Sequence, residues 1–180
     1  RLTRISEHLL ALTRLDAGEE RPLEPVELGR VADKVAHLLT PVARRAQVEL
    51  RCSLEPACAL LATEDDVYQV AFNLMENAIK YNLPGGRVEV GVSRRGEKVA
   101  LTVTDSGLGI PEEDLPRIFD RFYRVDKARS RAAGGTGLGL SIARDTARLH
   151  GGDITAGPNP AGRGTRFEVE FPALREGEGI

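Results

Sequence analysis

The sequence predicts an α/β sandwich, mixed strands packed on about three helices, preceded by a short helix fragment. Three observations carry this. Apolar residues recur at helical spacing in three separate stretches, near residues 27–45, 64–81 and 138–149. Shorter β-rich runs fall between and after them, and glycine or proline closes nearly every segment. The strict strand–helix alternation of a doubly wound sheet is missing.

Taken in order, Leu2, Ile5, Leu9 and Leu12 are spaced three, four, three, the rhythm of a helix that packs along another helix. The pattern runs out at Asp16-Ala17-Gly18, which bounds a first unit at residues 1–18, and residues 19–25 read as a polar linker. Such a helix can dock on its own domain or pair with another chain. The start at Arg1, already inside the pattern, favours the second reading and an excised fragment.

Residues 26–175 form the main domain and 176–180 a tail. Leu28, Val31, Val35, Leu38 and Leu39 mark one helix, followed by strand-like alternation over 47–53 and a short run at 57–62. Thr63 is placed to cap a longer helix that reaches Tyr81, with Asp65 and Asp66 in its first turn. Two β runs, 87–94 and 98–104, flank Arg95-Gly96-Glu97 as a hairpin. Residues 105–135 have no period and are longer than a structural connection needs, which marks a working loop. A helix over 138–149 stops at Gly151-Gly152, and runs at 153–156 and 165–171 make a last strand pair.

Composition limits the function. Over 180 residues, 41 % apolar and 29 % charged with a net charge of −2 describe an ordinary globular protein, with no basic surplus to grip a nucleic-acid backbone. No apolar run approaches the roughly 20 residues that span a bilayer, so no membrane contact is expected within these residues. Cys52 and Cys58 lack metal-site spacing and read as reduced, structural thiols.

Four segments carry chemistry. With about 100° between successive helical residues, Asn73, Asn77 and Lys80 share a narrow face flanked by Glu76 and Tyr81. Amide oxygens there suit a hydrated Mg²⁺ and the lysine a phosphate, although a solvated face is the plainer reading of the segment alone. Asp105-Ser106-Gly107-Leu108-Gly109-Ile110 sets an acid at a strand end, where it can accept a hydrogen bond from an exocyclic amine such as that of adenine. Gly134-Gly135-Thr136-Gly137-Leu138-Gly139-Leu140-Ser141 opens into a helix whose free N–H groups favour anions, yet it fits neither the P-loop nor the dinucleotide fingerprint. Gly162-Arg163-Gly164-Thr165 turns into the last strand and is the least specific of the four.

In this order the segments resemble the boxes of the GHKL ATPases and, among them, of bacterial sensor histidine kinases. Residues 73–81 look like the N box, 105–109 the first glycine box, 118–124 (Ile-Phe-Asp-Arg-Phe-Tyr-Arg) the F box and 135–140 the second glycine box. The resemblance covers about residues 26–172. It implies the Bergerat fold: a mixed, mostly antiparallel sheet on helices, with ATP held between them beneath a lid at about 116–135. By the same resemblance Asn77 holds Mg²⁺, Asn73 and Lys80 assist at the phosphates, Tyr81 lies against the nucleotide, and Asp105 reads the adenine amine with Thr165 nearby. The glycine boxes contribute Gly107, Gly109, Ile110, Gly135, Thr136, Gly137, Leu138, Gly139 and Leu140. Arg124 is the candidate for the γ-phosphate, whereas Lys127, Arg129 and Arg131 read as solvated lid charges.

The activity implied is a protein histidine kinase, with residues 1–18 as the end of the second dimerisation helix. The implied partners are the histidine-bearing dimerisation domain of the same protein, in a homodimer, and a response regulator whose Asp receives the phosphoryl group. The implied location is cytoplasmic, as part of a membrane-anchored sensor. No acceptor segment of the His-Glu-x-x-Thr-Pro type occurs: His37-Leu38-Leu39-Thr40-Pro41 is one residue short and lacks the acid, His8 reads as helix surface, and His150 suits a helix C-terminus. Hydrolysing relatives place a Glu four residues before the metal Asn, and Asn73, a carboxamide, cannot serve as that base. A nucleotide-binding switch without kinase activity is the other alternative, against which the intact boxes and the heptad helix speak.

Overall fold

A computed structural model describes residues 2–18, 21–126 and 135–175. The predicted solvated charges Lys127, Arg129 and Arg131, with Gly134 and the 176–180 tail, lie outside the described residues.

Helix α1 spans Leu2–Ala17 and closes at Gly18, whose φ of 61° is the left-handed geometry that ends a helix. Strand β1 (Glu24–Glu27) then pairs antiparallel with β3 (Ala59–Ala62), burying Val26 and Leu60. The expected linker is therefore shorter than 19–25, because Glu24 and Pro25 already pair in this small sheet. Helix α2 (Leu28–Arg45) buries Leu28, Val31, Val35 and Leu39 on one stripe and leaves Leu38 exposed.

Five strands form the main sheet in the order β2-β4-β5-β7-β6, with β2 Glu49–Leu54, β4 Arg87–Arg95, β5 Lys98–Asp105, β6 Asp153–Pro158 and β7 Thr165–Pro172. Only β2–β4 is parallel; the other three pairings are antiparallel, as the mostly antiparallel expectation requires. One face is wet. In β4 the alternate residues Val88, Val90 and Val92 are buried, and in β7 Thr165, Phe167, Val169 and Phe171, while the residues between them are not. Helices α2, α3 (Glu64–Lys80) and α4 (Gly139–Leu149) cover the buried face with Val35, Val70, Leu74, Ala78 and Ala143.

Thr63 takes the N-cap position of α3 with extended geometry, but its hydroxyl makes no capping bond and is buried without a partner. The helix start relies instead on Glu64, Asp65 and Asp66 against its dipole, and its last turn carries Lys80. His150 caps α4 and places Nε2 2.9 Å from Oδ2 of Asp66, so its ring joins two helices. His37 is exposed on α2 beside Asp33, away from any site.

Helix α1 is not detached. Leu12 is buried against Leu138 and Ile142, with Ala11 and Leu15 packed alongside, whereas Leu2, Ile5 and Leu9 of the same heptad face solvent. The domain thus covers the C-terminal end of the apolar stripe and leaves its N-terminal end exposed.

Candidate functional site

The last turn of α3 and the first turn after β5 are tied together: the N–H of Leu108 donates to the carbonyl of Tyr81 at 3.2 Å. Only glycine fits at 107, since a Cβ there would lie 2.4 Å from that same carbonyl oxygen. This junction fixes Asp105 relative to the amide face of α3. Asp105 is buried, and its Oδ1 accepts the N–H of Gly107 at 2.8 Å and that of Thr165 at 3.3 Å. Both bonds fall on one oxygen, Oδ1. Burial holds the Asp105 carboxyl above its ordinary range, opposed by those two N–H groups.

The loop before β7 comes equally close. A Cβ on Gly164, at φ 118°, would lie 1.9 Å from the carbonyl oxygen of Asp105, and Asn159 donates to that carbonyl through Nδ2 at 3.1 Å. The least specific of the four segments is therefore the one that clamps the acid.

These elements surround a cavity of about 380 Å³, the size of a small-molecule site. Asn73, Asn77, Lys80, Tyr81, Asp105, Gly109, Ile110, Arg124, Gly135, Thr136, Gly137, Gly139, Leu140 and Thr165 all line it. Two predicted residues do not. Gly107 serves the close approach to Tyr81, and Leu138 is buried beneath the cavity against Leu12 and Ile142.

Asn73 is 6 % exposed and its Nδ2 has no hydrogen-bond partner among the described residues. A buried amide left so costs free energy that a ligand can recover. The polar set is short of anions for a protein-only metal cage: no cluster of three His, Cys, Asp or Glu occurs among the described residues. Amide oxygens, a lysine and room for phosphate oxygens instead suit Mg²⁺, which keeps its waters and takes one or two protein ligands beside the substrate phosphates.

Lys80 is lowered from its ordinary proton affinity chiefly by burial, aided by Arg4 and Arg124 and opposed by Glu76. The Arg124 guanidinium donates to the carbonyl of Gly135, and both residues lie at the cavity wall. Nearby, the N–H of Phe122 donates to Gly137 O at 2.8 Å, and Tyr123 donates its hydroxyl proton to Asp114.

Two residues of α1, missed in the sequence, also line the cavity. Arg4 places Nη2 2.8 Å from Oε1 of Glu76, and His8 places Nδ1 2.7 Å from Oγ1 of Thr136. His8 is thus no plain surface residue; it is partly buried, and that burial lowers its pKa from the ordinary value. A signal was present in the sequence: Arg4 and His8 lie eight and four residues before Leu12, on the helix face that Leu12 shares. At the helix end Asp16 forms a two-pronged pair with Arg121, at 2.9 and 3.3 Å.

Relatives show the same architecture. Over 169 residues the chain is 37 % identical to the sensor-like histidine kinase SenX3 of Mycobacterium tuberculosis, an alignment that covers 93 % of this chain and 41 % of SenX3. The chain therefore spans less than half of that relative. Among solved structures, full-length ShkA in complex with AMPPNP superimposes with a TM-score of 0.83 at 29 % identity, covering 96 % of this chain and 36 % of ShkA. Histidine kinase ThkA in complex with the response regulator TrrA gives 0.75 at 25 % identity, covering 98 % and 49 %. Residues 62–175, which include the amide helix and every glycine box, match the signature of one family. The chain belongs to the histidine kinase-, DNA gyrase B- and HSP90-like ATPases.

Proposed function

We propose that this chain is the ATP-binding catalytic part of a two-component sensor histidine kinase. In this reading it holds Mg·ATP and presents the γ-phosphoryl group to a histidine of the dimerisation domain, from which it passes to an Asp of a response regulator. The observation that carries the reading is the convergence of Asn73, Asn77, Lys80 and Asp105 on one cavity, the first with an unpartnered buried amide. The histidine kinases ShkA and ThkA, similar in fold, support it.

Roles follow from chemistry. Asp105 Oδ2 accepts from the adenine amine, and Tyr81, tied to the adjoining turn, lies against the nucleotide. Asn77 offers an amide oxygen to Mg²⁺, which when bound neutralises phosphate charge. Asn73 donates its open N–H to a phosphate oxygen, and Lys80 and Arg124 supply positive charge. Phosphoryl transfer asks for positioning and charge neutralisation more than for covalent participation, which this set provides. Asn73 offers no general base for water, which disfavours hydrolysis.

Calorimetric titration with a non-hydrolysable ATP analogue and Mg²⁺ tests the reading. Asn77→Ala and Asp105→Ala are each expected to weaken binding at least tenfold or so, the loss of one good polar contact. Unchanged affinity in both variants would overturn the site.

A further inference from the structure

The cavity is built along α3, and its two ends differ chemically. Tyr81, at the C-terminal end, is tied to the turn that carries Asp105. Glu76 lies five residues back, about 7.5 Å along the axis at 1.5 Å per residue, and so farther from the acid that would read adenine. There Arg4 enters from α1, a helix outside the catalytic sandwich, and pairs with Glu76 at 2.8 Å. Arg4, Lys80 and Arg124 share the cavity wall with the carboxylates of Glu76, Asp105 and Asp126, and Arg4 and Arg124 both oppose the charge of Lys80.

A half-exposed guanidinium beside Lys80 on the wall of this cavity is the chemistry that suits a polyphosphate. The Arg4 side chain is 45 % exposed, so its guanidinium is not locked by packing and can exchange one oxyanion for another. A guanidinium binds phosphate oxygens in the same forked geometry as a carboxylate.

Resting on the reading of this cavity as an ATP site, we propose that Arg4 is a further nucleotide-binding residue that reads the terminal phosphate: its guanidinium passes from Glu76 to the third phosphate of ATP. ADP offers it nothing in reach. The helix thereby contributes to the preference for ATP over ADP, and by reciprocity ATP holds α1 against the domain more firmly than ADP does.

Calorimetry on the full chain tests this with Mg²⁺ and two probes, a non-hydrolysable ATP analogue and ADP. Arg4→Ala is expected to weaken the analogue about tenfold, one charge-assisted contact, and to leave ADP within about twofold. Glu76→Gln, which removes the competing carboxylate, is expected to retain or increase the preference for the analogue. Loss of preference in both variants would make Arg4 a docking residue only and overturn the proposal, as would equal weakening of both probes, or no change, in Arg4→Ala. Asn77→Ala separates the two levels: it is expected to weaken both probes, and its failure to do so removes the ATP site itself, whereas its success beside an inert Arg4→Ala removes only the role of Arg4. Circular dichroism of each variant confirms the fold, which Arg4, on an exposed helix turn, does not support.

Discussion

Asp105 and Thr165 stand sixty residues apart in sequence, yet the N–H of Thr165 points at Oδ1 of Asp105 at 3.3 Å, on the same oxygen that Gly107 bonds. One carboxylate oxygen thus serves the fold, and in the proposed function the other takes the ligand. Asp105→Asn keeps an oxygen for the two backbone donors and turns an NH₂ toward an adenine amine, donor against donor. Binding of the ATP analogue is expected to fall about 10–100-fold, the effect of about 1–3 kcal/mol from an unmatched buried polar pair. Stability is expected to hold or rise. Burial raises the Asp105 pKa, so the folded state takes up the proton more readily than the unfolded one, and ionisation costs stability as pH rises above the unfolded value of 3.8. The amide escapes that cost; a thermal melt at neutral pH checks it.

The contact of His8 with Thr136 predicts a pH dependence of the opposite sign. Burial lowers the His8 pKa below 6.5, so the undocked helix binds the proton more readily than the docked one. Docking of α1 is then at full strength above about pH 6.5 and weakens as pH falls below it. Glu76 and Glu7 favour the proton and Arg4 and Lys80 oppose it, without reversing the effect of burial. Hydrogen exchange of the α1 amides across pH 5–8 is the measurement, and His8→Gln is expected to flatten the profile. Protection that stays level in the wild type, or a profile unchanged in the variant, contradicts this.

Much of the site was readable because its chemistry is written in short runs. Asn73, Asn77 and Lys80 sit on one helix, where 3.6-residue periodicity places them together without tertiary information. The same holds for the helix stripes and for the alternating valines of β4. What could not be read depends on chain segments meeting from afar. Gly164 looked like an ordinary hairpin residue because its reason, the Asp105 carbonyl, lies at the end of the neighbouring strand β5, far away in sequence. Glu24 and Pro25 looked like linker because their partners, Ala62 and Leu61, are polar in neither pattern nor period. His8 looked like helix surface because the residues it meets belong to the domain that follows.

Gly164 therefore carries a sharp expectation. Gly164→Ala drives a Cβ into backbone at φ 118°, and neither the Asp105 carbonyl nor β7 can yield cheaply. A loss of about 2–4 kcal/mol in denaturant unfolding is expected, with loss of nucleotide binding in whatever remains folded. Gly157→Ala is the control: nothing lies within 4 Å of its Cβ, and its stability is expected to match wild type within about 0.5 kcal/mol.

The attachment of α1 combines an apolar contact and an exposed ion pair, and their weights differ. Leu12 is 6 % exposed against Leu138 and Ile142, and truncation of a buried leucine costs about 2–5 kcal/mol, at the low end here because the cluster is small and lies at an edge. The Asp16–Arg121 pair has side chains 60 % and 42 % exposed, and solvent screens such a pair so that it contributes little. Leu12→Ala is expected to release α1, raising exchange of its amides while β4, β5 and β7 keep theirs, since the sheet core does not include Leu12. Arg121→Ala is expected to change α1 exchange by less than about fivefold, and less still in high salt. If Arg121→Ala loosened the helix as much as Leu12→Ala, the ion pair rather than the apolar stripe would be what holds α1 in place.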